Sequence, residues 1–351
     1  MTGATKVVRA RAPLRLGLAG GGTDLSPYCD QFGGAVLNAT IDRYAYAFIE
    51  PSGDGTVQFV ARDLGVEERL PREPGAASAA RLAIHAGVYR RMIRDYCAGQ
   101  PMPLRITTYV DAPAGSGLGS SSALVVALVE AFRFLLELPL GLYDVAHLAF
   151  EIERLDLRLA GGKQDQYAAA FGGANFIEFL ANDRVIVNPL RVARGFLNEL
   201  ETSLVTCFTG VSRRSETIIV EQQRRMVTPT GDSLISLHQL KSDAVEMKQA
   251  LLRGEIRHVA AILNRSWEAK KKTADGISTG EIERLYAIAL AHGALAGKVS
   301  GAGGGGFLMF IVPPQHRVAL IDALNEAGGT ASGVHFTSDG AESWAVNQDG
   351  A

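Results

Sequence analysis

Between Asp111 and Ala123 the chain reads DAPAGSGLGSSSA. Gly115, Gly117 and Gly119 strip side chains from a loop to which Ser116, Ser120, Ser121 and Ser122 bring hydroxyls. An apolar strand-like run precedes it and an apolar helical run follows. In that setting backbone N–H groups and a helix N-terminus can close around phosphate oxygens. The loop matches neither standard fingerprint: it has no G-x-x-x-x-G-K-[ST], hence no lysine, and it misses G-x-G-x-x-G by one position. Taken alone, a flexible turn capped by serines explains it equally well. A triphosphate bound there without a lysine needs Mg²⁺ as its main neutralising charge, and Mg²⁺ takes one or two carboxylates and a hydroxyl. FEIERLDLRLAGGKQDQYAAAFGG supplies Glu151, Glu153, Asp156 and Asp165 as carboxylate candidates. Asp165 is singled out by its polar surroundings, KQDQ, after a glycine break.

Two further glycine segments have the same character. RAPLRLGLAGGGTD, Arg11 to Asp24, joins Arg15, a run of three glycines and Asp24. KVSGAGGGGFLMF begins at Lys298 and carries glycines at 301 and 303 to 306 before an apolar strand.

The elements that must position these loops follow from periodicity. Strands are expected at Val7 to Leu18, Gly34 to Glu50, Val57 to Val66 and Leu104 to Val110. A helix is expected over Ala77 to Ala98, a buried one from about Ser121 to Glu137, and another over Leu142 to Arg158. A further helix starts near Lys163, followed by a hairpin, Ala174 to Phe179 and Val185 to Pro189. Leu204 to Phe208 opens a helix-rich second half, which closes with a strand near Ser332 to Thr337. The fold class is α+β in two units, residues 1–195 and 196–351.

The chain has 351 residues and a formal charge of −2, from 35 Lys and Arg against 37 Asp and Glu. That balance excludes an electrostatic footprint for nucleic acid or an anionic membrane. The run from Ala123 to Leu140 is broken by Glu130, Arg133 and Glu137, so it reads as a core helix and not a membrane span. Cys29, Cys97 and Cys207 are far apart and read as reduced thiols; a cytoplasmic protein is expected.

The three glycine segments, in this order, resemble the three motifs of the GHMP kinases. The second, Pro113 to Ala123, is close to that family's P-x-G-x-G-L-G-S-S-A signature. The resemblance implies an N-terminal domain like domain 2 of ribosomal protein S5, a ferredoxin-like C-terminal α+β domain, and an active site between them. It implies ATP along Pro113, Gly115, Ser116, Gly117, Leu118, Gly119, Ser120 and Ser121, with Ser120 and Glu153 on Mg²⁺. It implies Asp165 as the group that accepts or orients the acceptor hydroxyl, with Arg15 as its catalytic partner. Phosphoryl transfer is mostly positioning and charge neutralisation, which suits such a set.

The acceptor is read from the first motif. Galactokinases have G-E-H-T-D where this chain has Gly20-Gly21-Gly22-Thr23-Asp24. The L-A-G-G-G-T-D form, with GGKQDQYAAAFGG, looks like the subgroup that phosphorylates D-glycero-D-manno-heptose 7-phosphate at its anomeric hydroxyl, for nucleotide-heptose used in capsule, S-layer or lipopolysaccharide. An unphosphorylated-sugar kinase of the fucokinase or galactokinase type is the alternative, and a non-catalytic binding protein of the same fold a remote one. Sugar contacts are expected from Gly21, Gly22, Thr23, Asp24, Gln164, Asp165, Gly303 and Gly304. A phosphorylated acceptor needs a second anion site. Its candidates are Arg213 in TGVSRRSE, Arg11, Lys163 and the run Lys270-Lys271-Lys272, for which a solvated helix face is the better reading. The expected partners are a sugar phosphate and ATP, with a homodimer left open.

Overall fold

The structure, a computed structural model, describes residues 6–70, 81–211, 215–228 and 232–346. The first half contains Val7–Ala19 (β1), Tyr28–Phe32 (α1), Gly34–Pro51 (β2), Val57–Ala61 (β3), Val66–Leu70 (β4), Ala83–Tyr96 (α2), Leu104–Val110 (β5), Ser120–Leu135 (α3), Leu142–Phe150 (α4), Gln164–Phe171 (α5), Ala174–Phe179 (β6) and Val185–Pro189 (β7). The second contains Arg194–Ser203 (α6), Leu204–Phe208 (β8), Ser215–Val227 (α7), Ser233–Arg253 (α8), Ile256–Lys271 (α9), Gly280–Ala291 (α10), Ala296–Val299 (β9), Phe307–Ile311 (β10), Arg317–Glu326 (α11), Thr330–Ser332 (β11) and Glu342–Val346 (β12).

Two sheets result. The larger runs β12-β1-β2-β5-β3-β4, and β6 and β7 extend it from the first half of β2. β2 is long enough to serve β6 with Gly34 to Ala39 and β5 with Ala45 to Pro51. The smaller sheet runs β11-β8-β10-β9, all antiparallel. With helices between β8 and β9 and α11 between β10 and β11, this is the β-α-β-β-α-β arrangement of a ferredoxin-like unit.

α3 carries Leu, Val and Ala around its whole circumference, and Val125 to Val129 are completely buried. A helix apolar on all sides belongs in a core, and α3 lies against β1 and β2 with α4 and α5 beside it. α8 and α9 also pack on the larger sheet. Met247, Leu251, Ile262 and Leu263 therefore join its core although they belong to the second half of the chain. α10 starts on a side-chain cap, with the Thr279 hydroxyl accepting from the Ile282 N–H at 3.3 Å and two glutamates in the first turn.

Four expectations change. The single strand expected over Val57 to Val66 is a hairpin, β3 and β4, that turns at residues 62–65. The helix expected over Leu142 to Arg158 is α-helical only to Phe150, and Glu151–Asp156 forms a wider π-helical turn. The strand expected near Ser332 to Thr337 is short, and Phe336 makes only an isolated bridge to Ile41. The chain then returns as β12 to pair with β1, joining its last described segment to its first. That pairing has no local signature, because the partner lies at the opposite end of the sequence. The first part of the helix expected from Ala77 lies outside the described residues.

Candidate active site

All three glycine segments meet at one cleft of about 250 Å³ between the two sheets. Gly115, Gly117 and Gly119 have φ of +72, +80 and +75°, the left-handed region that glycine enters without strain. This winding delivers the chain to the N-terminus of α3, where Ser120, Ser121 and Ser122 line the cleft. The unpaired amides of that first turn and the helix dipole face the opening.

Close approach of backbones explains much of the glycine content. A Cβ on Gly117 would overlap the Ser300 carbonyl oxygen; one on Gly301 would sit 2.7 Å from Gly117 Cα; one on Gly306 would overlap the Ser116 carbonyl oxygen. Phe307 N–H donates to the Ser116 carbonyl at 2.9 Å, and Arg15 N–H to the Leu118 carbonyl at 3.0 Å. The third segment thus packs on the second, and β1 ties both together. Gly162 and Gly161 serve the same need locally: a Cβ there would overlap the Asp24 carboxylate and the Arg154 guanidinium.

Arg15 is buried at the junction. Its guanidinium donates to Asp165 Oδ1 at 2.8 Å and to the Gly117 carbonyl at 2.7 Å. Both of its contacts to Asp165 fall on Oδ1. The other oxygen, Oδ2, faces the loop, about 3.4 Å from where a Gly119 side chain would begin. Asp24 is buried beside this pair. It accepts from the Gln164 backbone N–H and side-chain amide, both at 3.1 Å, and from Gly22 N–H at 3.2 Å.

Glu153, on the inner side of the π-helical turn, is also buried. One carboxylate oxygen accepts from the Ser121 hydroxyl (2.7 Å) and forms an ion pair with Arg154 (3.1 Å); the other accepts from the Ser122 hydroxyl (2.6 Å) and the Gln166 amide (2.6 Å). π-helical turns are inserted where a side chain must be re-aimed, often at functional sites. Here the turn aims a carboxylate at the first turn of α3. A carboxylate and the neighbouring Ser120 hydroxyl are hard oxygen donors of the kind Mg²⁺ accepts. The described residues contain no cluster of three or more acidic, His or Cys side chains that could hold a metal ion by themselves.

Several sequence expectations are corrected here. Arg11 does not line the cleft; it pairs with Glu342 of β12 and stacks over Tyr44 at 4.4 Å. Lys163 points away, to Asp183 and Asp30. The Thr23 hydroxyl is spent on β2, donating to the Ala35 carbonyl at 2.9 Å and accepting its N–H at 3.1 Å. Gly303 and Gly304 pack on Ile277, and Gly301 and Ala302 line the cleft instead. Pro113, Ser116 and Leu118 shape the loop without lining the cleft: Pro113 is exposed, Ser116 fully buried, and Leu118 part of the core. Arg213 lies outside the described residues. Gly21, Gly22, Asp24, Gln164, Asp165, Arg15, Glu153, Gly115, Gly117, Gly119, Ser120 and Ser121 do line the cleft.

The sequence reading gave Lys270 the lesser weight as an anion-site candidate and passed over two other cleft cations, Lys298 and Arg154. Lys270, expected on a solvated face, is buried, and its Nζ donates to the Gly21 carbonyl at 3.0 Å. The signal was available: Val259, Leu263, Ser266 and Trp267 form the buried stripe of α9, and Lys270 continues it at helical spacing. Lys298, a lone charge in the apolar strand β9, donates to the Gly17 carbonyl at 2.6 Å. Burial lowers both ammonium groups, Lys270 to about 8, partly countered by Asp24, and Lys298 to about 7, with Lys270 and Arg15 adding repulsion. Both lysines are delivered to the cleft from the other half of the chain.

Family models and full-length relatives both match this chain. The GHMP kinase N-terminal domain model matches residues 81–173, and the GHMP kinase C-terminal model residues 247–330. A D-glycero-alpha-D-manno-heptose 7-phosphate kinase from Campylobacter jejuni is 43% identical over 341 residues, 97% of this chain and 100% of that protein. The crystal structure of a D-glycero-D-manno-heptose 1-phosphate kinase from Bacteroides thetaiotaomicron superposes with a TM-score of 0.81 at 44% identity, covering 97% of this chain and 99% of that one. An L-fucokinase/L-fucose-1-P guanylyltransferase from Bacteroides fragilis is 25% identical over 92% of this chain and 36% of that protein.

Proposed function

Because this chain belongs to the GHMP kinase family, we propose that it transfers the γ-phosphoryl group of ATP to the anomeric hydroxyl of D-glycero-D-manno-heptose 7-phosphate, giving the 1,7-bisphosphate. The observation that carries the chemistry is the Asp165–Arg15 pair standing beside the N-terminus of α3, in one cleft with Asp24. The acceptor is supported by the full-length relative of that name.

The geometry supports a role for each of these residues. The amides and hydroxyls from Gly115 to Ser121 bind the nucleotide phosphates, which also places them in line with the acceptor. Asp24 and Gln164 bind sugar hydroxyls. Arg15 holds Asp165 by Oδ1, so that Oδ2 receives the proton as the acceptor oxygen bonds to the γ-phosphorus and the bond to ADP breaks. Ser120 and Glu153 would hold Mg²⁺, which neutralises phosphate charge when bound. Ser120→Ala and Glu153→Gln are then expected to raise the Mg²⁺ concentration needed for half-maximal rate. A titration superimposable on the wild type would remove both from the metal site.

No helix among the described residues is long and apolar enough to cross a membrane. A cytoplasmic enzyme that feeds nucleotide-heptose synthesis for capsule, S-layer or lipopolysaccharide is part of the same proposal. So is the division into units 1–195 and 196–351, with β12 reassigned to the first sheet.

The similarity to fucokinases favours a second reading, a kinase of free sugars. ADP release with Mg-ATP, measured against heptose 7-phosphate, the same heptose without phosphate, fucose and galactose, separates the two. Strong preference for the phosphorylated heptose is expected. Equal or better use of a free sugar would overturn the acceptor assignment while leaving the kinase chemistry in place.

A further inference from the structure

The cleft contains a cation for which the phosphoryl-transfer roles above have no use. Lys270 sits in the last turn of α9, where the C-terminal end of the helix dipole favours positive charge. It is 5% exposed and lines the cleft. An ammonium has three donors, and among the described residues one acceptor is provided, the Gly21 carbonyl. Asp24, the carboxylate whose charge favours the Lys270 ammonium, already accepts from Gly22 and twice from Gln164. A buried cation so incompletely paired is costly unless a ligand completes it.

Its surroundings are built to keep the ammonium in place and leave room before it. A Cβ on Gly22 would come within 3.3 Å of Lys270 Nζ and 3.7 Å of the Gln222 amide nitrogen, so a side chain there would fill the space. The Gln222 amide donates to the Thr273 hydroxyl at 2.7 Å, which donates in turn to the Lys270 carbonyl at 2.8 Å. Gln222 and Ser266 share the cleft wall with Lys270.

The contacts also order the cleft. Asp165 is followed through its chain neighbour Gln164 by Asp24, then by Gly22, then by Lys270. A sugar with its reacting hydroxyl at Asp165 and its ring hydroxyls at Asp24 extends its far end toward Lys270. Lys298 is placed differently, against Gly17, and Gly17 N–H meets the Ser300 hydroxyl that also bonds Gly117. It therefore belongs to the loop junction on the nucleotide side.

We propose that Lys270, with the Gln222 amide beside it, is the specificity site for the non-reacting phosphate of the acceptor. The inference rests on the reading of the acceptor as a sugar phosphate. It assigns the second anion site to α9 and α7 in place of Arg11 or Lys163, which the fold turns away.

The test is steady-state kinetics of wild type, Lys270→Met and Lys270→Arg with heptose 7-phosphate and with the same heptose lacking phosphate. Losing a charge-assisted contact to phosphate is expected to raise KM for the phosphorylated sugar roughly 100-fold in the methionine variant. KM for ATP and kcat/KM for the free heptose should stay within about threefold, and arginine should restore part of the preference. Lys270→Gln, which keeps a donor for Gly21, gives the same readout if the methionine variant does not fold. An equal loss with both sugars would overturn the proposal and make Lys270 a structural partner of Gly21 and Asp24. A rise confined to KM for ATP would overturn it in favour of a nucleotide contact. A wild type that prefers the free sugar is a separate result, visible before any variant is made, and it overturns the sugar-phosphate reading together with this site.

Discussion

Asp165→Asn is expected to lower kcat by about 10³-fold while ATP affinity changes by less than about threefold. Positioned proton acceptors contribute on the order of 10² to 10⁴ in rate, and Asp165 offers one free oxygen to the cleft while Arg15 occupies the other. The amide retains an oxygen for Arg15 and so tests proton acceptance separately from architecture. The stability cost is a weakened hydrogen bond to a charged group, about 1–3 kcal/mol. Asp165→Ala removes the partner altogether and leaves a buried guanidinium whose remaining partners are the Gly117 carbonyl and the Ser300 hydroxyl. That variant is expected to lose activity and also to melt earlier. Single-turnover kinetics at saturating Mg-ATP, with nucleotide affinity measured by equilibrium titration, give the two readouts. Wild-type kcat in a folded Asp165→Asn variant would rule out proton acceptance and leave the residue only an orienting role.

Gly117→Ala is expected to damage nucleotide use and stability together. At φ +80° an alanine costs about 1–2 kcal/mol in backbone strain, and its Cβ would overlap the Ser300 carbonyl oxygen. Backbone cannot rotate aside as a flexible side chain would, so the third glycine segment must move off the second. That movement disturbs the Ser300 hydroxyl, the Gly117 carbonyl and the Arg15 guanidinium, which are mutually bonded. Overpacking of this kind costs a further 1–3 kcal/mol or so, and KM for ATP should rise at least about tenfold. Gly65→Ala is the control. Gly65 has φ of +62° and an added Cβ there would meet nothing within 4 Å, so it carries the backbone cost without the overlap. Thermal melts of both variants with and without ATP, and KM for ATP, decide the matter. If the two variants melt alike and both retain the wild-type KM, close packing of the two segments is not what Gly117 provides.

What the sequence determined alone was local chemistry. Glycines that need positive φ, serines at a helix start, and a carboxylate after a glycine break are properties of short stretches, and their types limit what they can bind. The same holds for the elements: α3 was legible because a predominantly apolar run belongs in the core. The carboxylate Glu153 was among the candidates from its position, although the π-helical turn that aims it inward was not, since a helix pattern does not show one extra residue per turn.

What only the tertiary structure decided was direction. Arg11 and Arg15 lie four residues apart on one strand, yet Arg11 turns to Glu342 and Arg15 into the cleft. A register shift between Pro13 and Leu14 separates them, and β12, the partner that takes up Arg11, comes from the far end of the chain. Lys163 and Gln164 are adjacent, and the start of α5 sends one to Asp183 and the other to Asp24. Lys270 reached the cleft because α8 and α9 pack on the sheet of the other half, setting the last turn of α9 against Gly21. Residue type and spacing state which chemistry a side chain can do. Which side chains meet depends on long-range strand pairing and on the burial of apolar faces, and these involve partners that no local window contains.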